Sequence, residues 1–193
     1  MNKRFSVAVL IALVFSSCNL FEPRTPEDPS NEGVVWLDPT SPDIVVENIQ
    51  STLNGGSTLY MDCFTESFVF YADSNDINEY SGYNFDDWTK AVENSTVSLL
   101  FTIVPADSII AAEFLIDTGN PDPAAPSDSV TIYRNYTISI PQSYHSGTGT
   151  PAAGIAELHM VENDGLWAIQ EWHDVRHVET SLVTWAVAKA YYR

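Results

Sequence analysis

Two stretches of the C-terminal half alternate apolar with polar residues, and this period of two constrains the fold more than any other feature of the chain. From Val130 to Ile140, the residues Ile132, Arg134, Tyr136, Ile138 and Ile140 share one face, while Tyr133, Asn135, Thr137 and Ser139 share the other. From Ala152 to Val161, Ala156, Leu158 and Met160 face one way and Glu157 and His159 the other. Successive side chains of a β-strand point to opposite sides, so each stretch predicts a strand with one dry face and one wet face. Glu162-Asn163-Asp164-Gly165 comes next. Asp-Gly suits the tight turn of a hairpin, which makes Leu166 to Val178 the last strand and the antiparallel partner of the one before. A sheet with one dry face needs a cover.

That cover is predicted upstream. Pro42-Asp43 starts a helix whose apolar positions Ile44, Val45, Ile49 and Leu53 recur at helical spacing. Asn54-Gly55-Gly56 stops it, glycine supplying a left-handed cap. Ser57 caps a short second helix with Leu59, Tyr60, Cys63 and Phe64 as its apolar face. Ser67 to Ala72 reads as strand, Asp73 to Tyr83 as a polar loop, and Phe85 to Asn94 as a third helix around Trp88, Ala91 and Val92. Val97 to Val104 and Ser108 to Ile116 read as strands on their β-branched and aromatic content, with a bend at Pro105-Ala106-Asp107 between them. Asp117 to Ser129 and Gln142 to Thr150 read as loops, and Thr180 to Tyr192 as a closing helix. Helices first and a long antiparallel meander afterwards predict an α+β domain over residues 43–193.

The N-terminus carries an address. Lys3 and Arg4 give a positive start, Phe5 to Phe15 is apolar but for Ser6, and Ser16-Ser17-Cys18 closes the run. A charged start, a short apolar run and small residues form a secretory signal over residues 1–17, and the run is shorter than the ~20 residues a membrane-spanning helix needs. Phe15-Ser16-Ser17-Cys18 resembles the bacterial lipobox. That resemblance implies cleavage before Cys18, acylation of its thiol and a lipid anchor in the cell envelope. Asn19, rather than Asp, implies the outer membrane, facing the periplasm or the cell surface. Residues 18–42 then read as a tether, with Pro23, Pro26, Pro29, Pro39 and Pro42 among polar residues. Val34, Val35, Trp36 and Leu37 form an apolar island within it, expected to dock on the domain.

Charge excludes some partners. Loss of residues 1–17 removes Lys3 and Arg4 and no acid, leaving 6 basic against 26 acidic side chains and a formal charge of −20. Such a surface repels phosphate backbones and argues against nucleic acid. With Cys18 acylated, Cys63 is the one remaining thiol, which excludes an intramolecular disulfide and a Cys-rich metal site.

Two further phrases carry a resemblance that spans roughly Asp43 to Arg193. Glu47-Asn48-Ile49-Gln50, Tyr60-Met61-Asp62-Cys63-Phe64 and Phe68-Val69-Phe70 resemble the opening helices and first strand of the NTF2-like, or SnoaL-like, superfamily. Gly165-Leu166-Trp167-Ala168-Ile169-Gln170-Glu171-Trp172-His173-Asp174 resembles its final hairpin, and Thr184-Trp185-Ala186 with Lys189-Ala190 resembles the endings of exported members. The resemblance implies a cone: a strongly curved antiparallel sheet packed against N-terminal helices, often enclosing an apolar pocket. Some members are isomerases, dehydratases or cyclases, and many are binding or dimerisation modules, so fold alone does not settle function.

Phe70, Trp88, Phe101, Tyr133, Trp167 and Trp172 are the candidate lining of such a pocket. A general base would come from Asp174 in the matched phrase, or from Glu157 and His159, two residues apart on one strand face, which could make an acid-base pair or two metal ligands. The plainer expectation is that Asp174 pairs with Arg176 or caps a turn, and that Glu157 and His159 face solvent. No cofactor and no metal are expected: there is no His-Glu-x-x-His motif, and His173 and His177 are too far apart on a strand. Asp73 to Asn84 lacks the glycine and terminal Glu of a calcium loop. The leading expectation is a lipid-anchored, non-catalytic NTF2-like domain that binds a small apolar ligand or a protein partner. An isomerase or dehydratase is the first alternative and a structural homodimer the second.

Overall fold

A computed structural model describes residues 34–104, 108–124, 127–141, 151–177 and 181–193. The first helix, α1, spans Pro42–Gly55. Ser41 caps it by accepting from the Ile44 N–H at 3.4 Å, and Gly56 ends it at φ 61 in the left-handed region. Ser57 opens a 3-10 helix over Thr58–Cys63, which leads into strand β1, Phe64–Tyr71. The expected loop after β1 contains a short helix, α2, Ser74–Glu79, capped by the Asp73 carboxylate on the Asn75 N–H at 2.7 Å.

The largest departure from expectation follows. Val97 to Val104 is not a strand; it is the second half of a helix, α3, Lys90–Ile103, and Trp88 lies before the helix rather than within it. The buried residues of α3 are Glu93, Thr96, Val97 and Leu100, which recur every three or four positions. β-branched content suggested a strand, but burial of that stripe against the sheet overrides local propensity. The bend at residues 105–107 and the loop at 142–150 lie outside the described residues.

Four strands complete the sheet: β2 Ala111–Ile116, β3 Ser129–Ser139, β4 Ala152–Asn163 and β5 Leu166–Val175. Their order is β1-β5-β4-β3-β2. β2 to β5 run as the expected antiparallel meander, whereas β1 joins parallel to β5, so the sheet is mixed. At the β4–β5 turn, Asp164 and Gly165 have φ 53 and 82, the positive pair that a tight hairpin turn requires. Between His159 and Met160 the β4–β5 register slips by one residue. Such a bulge increases local twist and helps the sheet to curl.

The alternation read from the sequence is the burial pattern observed. Ile132, Tyr136, Ile138, Ala156, Leu158 and Met160 are buried, and so is Arg134. Arg134 is tolerated on the dry face because its guanidinium donates to both oxygens of Asp122 at 2.8 Å and to Asp43 at 2.6 Å. The segment before α1 docks as expected. The Val35 N–H donates to Ser51, Asn48 brackets Leu37 through N–H and C=O, and the Trp167 N–H donates to Pro39 O at 2.7 Å. The folded unit therefore takes in residues from Val34, earlier than the boundary expected at residue 43. The closing helix, α4, is shorter than expected, Trp185–Ala190.

Candidate functional site

Among the described residues, the chain itself fills the space under the curl of the sheet. Thr184 caps α4, and the helix enters the space between β5, β1 and α3 with Trp185, Ala186, Val187, Lys189 and Ala190 buried. Lys189 sits at its centre, fully buried, with Nζ 3.5 Å from the ring centre of Phe70 and 4.9 Å from that of Trp88. Trp172 and Trp185 complete an aromatic cage, each 5.6 Å away. An ammonium over aromatic faces is attracted by their quadrupoles, more so when desolvated. Its counter-charge is Glu93 of α3, also fully buried, at 2.9 and 2.7 Å. The same carboxylate accepts from the Tyr60 hydroxyl and from Trp88 Nε1, each at 2.7 Å. Burial lowers the pKa of Lys189 and Glu93 opposes that effect; burial, then Glu93, pushes the Tyr60 phenol well up.

Beside this cluster lies Asp174, also on the dry face of β5. One of its oxygens accepts from the Tyr136 hydroxyl and the other from the Ala186 N–H, both at 2.6 Å. Tyr136 in turn accepts from the Trp185 N–H at 2.7 Å. Asp174 thus holds the start of α4. Burial raises its pKa to about 7, although Tyr136, the Ala186 N–H and Lys189 all pull it down. Arg176 is not its partner, as the sequence suggested. Arg176 donates instead to buried Asp76 and to Glu79, and its backbone N–H reaches Asp73. Those bonds clamp α2 to the end of β5.

Of the residues named as pocket lining, Phe70, Trp88 and Trp172 converge in the cone, with Phe70 5.3 Å from Trp88 and 5.8 Å from Trp172. Phe101 is half-buried at the edge, 6.5 Å from Tyr60. Trp167 is buried at the start of β5, where its backbone meets Pro39. Tyr133 does not belong with them. It lies on the outer face of β3 opposite Glu157, because the period of two that buries Ile132 and Arg134 turns it outward.

Glu157 and His159 also lie on that outer face. Glu157 pairs in register with His173 and His159 with Glu171. His159 Nε2 is 2.9 Å from Glu157 and His173 Nε2 is 2.9 Å from Glu171. Sequence reasoning missed Glu93, Lys189, Tyr60 and Glu171 as parts of polar clusters. A lone lysine in the apolar phrase Trp185-Ala186-Val187-Ala188-Lys189-Ala190 was the one local hint, and nothing in it named Glu93, 96 positions away.

No protein-family model and no curated protein sequence matches the chain. Solved structures do. A protein from Novosphingobium aromaticivorans assigned as an aromatic ring hydroxylase superposes with a TM-score of 0.54 at 13% identity, over 74% of this chain and 90% of its own. One from the same organism assigned as a scytalone dehydratase gives 0.52 at 9% identity, over 73% and 89%. One from Xanthomonas campestris assigned as a calcium/calmodulin dependent protein kinase II association domain gives 0.50 at 12% identity, over 76% and 99%. At these identities the likeness is one of fold. Among the described residues the fold is α+β, with a five-stranded mixed sheet curled over helices. This fold is similar to that of these three structures.

Proposed function

We propose that this chain is a lipid-anchored protein of the bacterial cell envelope whose NTF2-like domain is a non-catalytic binding module. The anchor rests on the lipobox-like Phe15-Ser16-Ser17-Cys18 behind a positive, apolar leader. Among the two expected classes of ligand, a protein partner is favoured over a small apolar molecule. The observation that carries this reading is the seating of α4: Trp185 and Lys189 fill the aromatic centre of the cone, and both Asp174 oxygens are bonded. A cone filled by its own C-terminal helix leaves its outer surface to do the binding. A second copy of the chain is one such partner, and the likeness to an association domain supports assembly as a use of this fold.

Native mass spectrometry of the full-length protein from its own membranes tests the reading. A homodimer or a protein complex without a small ligand is expected. A small molecule bound one to one would overturn it. Cys18→Ser is expected to abolish lipid labelling and release the protein from membranes; unchanged retention would remove the anchor.

A second reading has one specific support. A buried carboxylate whose pKa sits near 7 is poised as a general base, and Asp174 is such a group in a fold shared with a protein assigned as a dehydratase. It requires α4 to leave the cone. Proton exchange from a cyclic ketone probe, abolished by Asp174→Asn, would favour it over the non-catalytic reading.

A further inference from the structure

We propose that the outer face of β4 and β5 carries a site for a zinc-class divalent cation, ligated by His159, His173 and Glu171. The strand register makes a square of two imidazoles and two carboxylates: Glu157 stands opposite His173, and His159 opposite Glu171. One oxygen of Glu171 lies 2.9 Å from His173 Nε2 and 3.9 Å from His159 Nδ1. One donor atom from each of the three residues falls within 4.8 Å of the others. Ligand atoms around a tetrahedral zinc with bonds of ~2.0–2.1 Å stand roughly 3.3 Å apart. Closing the site therefore needs movements of about an ångström or so, set against that spacing. The side chains have that freedom, being 38%, 34% and 35% exposed for His159, His173 and Glu171.

Glu157 supplies what a bare ion-pair cluster would not need. It sits 2.9 Å from His159 Nε2, on the opposite side of the ring from the nitrogen that faces Glu171. A carboxylate on the far nitrogen of a histidine fixes its tautomer and orientation and raises its basicity as a ligand. Glu157 is thus a positioning residue that leaves Nδ1 of His159 free for the cation. Ring contacts hold the histidines further: His159 and His173 stack at 4.8 Å, and Tyr71 of β1 stacks on His173 at 4.4 Å. His159 and Glu171 also wall a shallow groove of about 300 Å³ with Thr131 and Gln170.

The donor set selects the cation class. Two imidazoles and one carboxylate suit zinc, copper and nickel, whereas calcium and magnesium prefer oxygen-rich cages. Three protein ligands leave a fourth position for water or for a donor from a docked partner. The formal charge of −18 on the chain concentrates cations near the surface in any case. The site stands apart from the non-catalytic reading and does not depend on it.

The test is titration of ZnCl2 into the EDTA-treated full-length protein, followed by calorimetry and thermal melting. One zinc per chain and a raised Tm are expected, with no response to Ca²⁺ or Mg²⁺. His159→Gln and His173→Gln should each abolish the saturable binding, and Glu157→Gln should weaken it about 10- to 100-fold. Far-UV circular dichroism of the zinc-free variants should match the parent. A Cu²⁺ electron paramagnetic resonance spectrum of the unaltered protein should show two nitrogen ligands and needs no variant. Absent saturable binding, binding that survives loss of both histidines, or a thiolate signature from Cys18 would each overturn the proposal.

Discussion

The cone interior and the outer sheet face each gather four polar side chains within hydrogen-bond reach, and the two clusters behave oppositely. Inside, Lys189 and Glu93 are fully buried and Glu93 is held by Tyr60, Trp88 and Lys189 together. Outside, Glu157, His159, Glu171 and His173 make bonds of similar length while about a third exposed. The difference is solvent. Water does not reach the inner cluster, so a lost partner leaves an unpaired charge in a low-dielectric site. The outer cluster keeps water in reserve, so its pairs contribute little to stability and are free to rearrange around something else. The same chemistry is structural in one place and available in the other.

The largest effect should come from breaking the inner cluster. Glu93→Ala strips Lys189, Tyr60 and Trp88 of their shared acceptor and should cost about 3–5 kcal/mol in urea unfolding. A paired change, Glu93→Leu with Lys189→Met, removes both charges and should recover most of that loss. If it does not, the aromatic cage depends on the ammonium itself.

Asp174 offers a subtler break. In the unfolded chain its carboxyl ionises in the ordinary range, near 3.8, and in the folded protein near 7. Between those values the folded state holds the extra proton, so raising the pH across this window favours unfolding. Below about 4 and above about 7 this group adds no slope. Asp174→Asn should flatten the fall in stability with pH over that window, by about 2–4 kcal/mol relative to the parent. A parallel pair of pH profiles would sink the claim that burial raises the pKa of Asp174.

Gly154 of β4 tests the packing of the same region. A Cβ there would stand 2.6 Å from the Tyr136 hydroxyl and 2.8 Å from the Val175 carbonyl, so Gly154→Ala should cost about 1–3 kcal/mol by forcing Tyr136 away from Asp174. The smallest effect belongs outside. Glu157→Gln should change unfolding stability by less than about 1 kcal/mol in the absence of metal. A larger loss would mean the outer cluster is structural after all, and the contrast between the two regions would fail.

The legible parts of this chain were those set by local patterning. The strands Ser129–Ser139 and Ala152–Asn163, the Asp164-Gly165 turn and the Gly56 stop each follow from period or backbone geometry within a few residues. The β-branched and aromatic content of Val97 to Val104 reads as a strand, and only the burial of Glu93, Val97 and Leu100 against the sheet makes it the end of α3. The phrase around Asp174 marks it as a candidate, yet its partners, Tyr136 and the Ala186 N–H, come from β3 and α4. Tyr133 has the aromatic character of a pocket residue, but the alternation around it turns it outward.

The sequence by itself determined an α+β chain with one dry sheet face and a tight turn before its last strand, because each of these is written in neighbouring residues. Tertiary structure alone decided that the parallel β1–β5 pairing completes the sheet, that α4 fills the cone, and that Lys189 meets Glu93. It also decided that His159, Glu171 and His173 converge. The physical reason is the same in each case. These contacts join residues far apart in the chain, and their geometry depends on strand register and on which surfaces burial brings face to face.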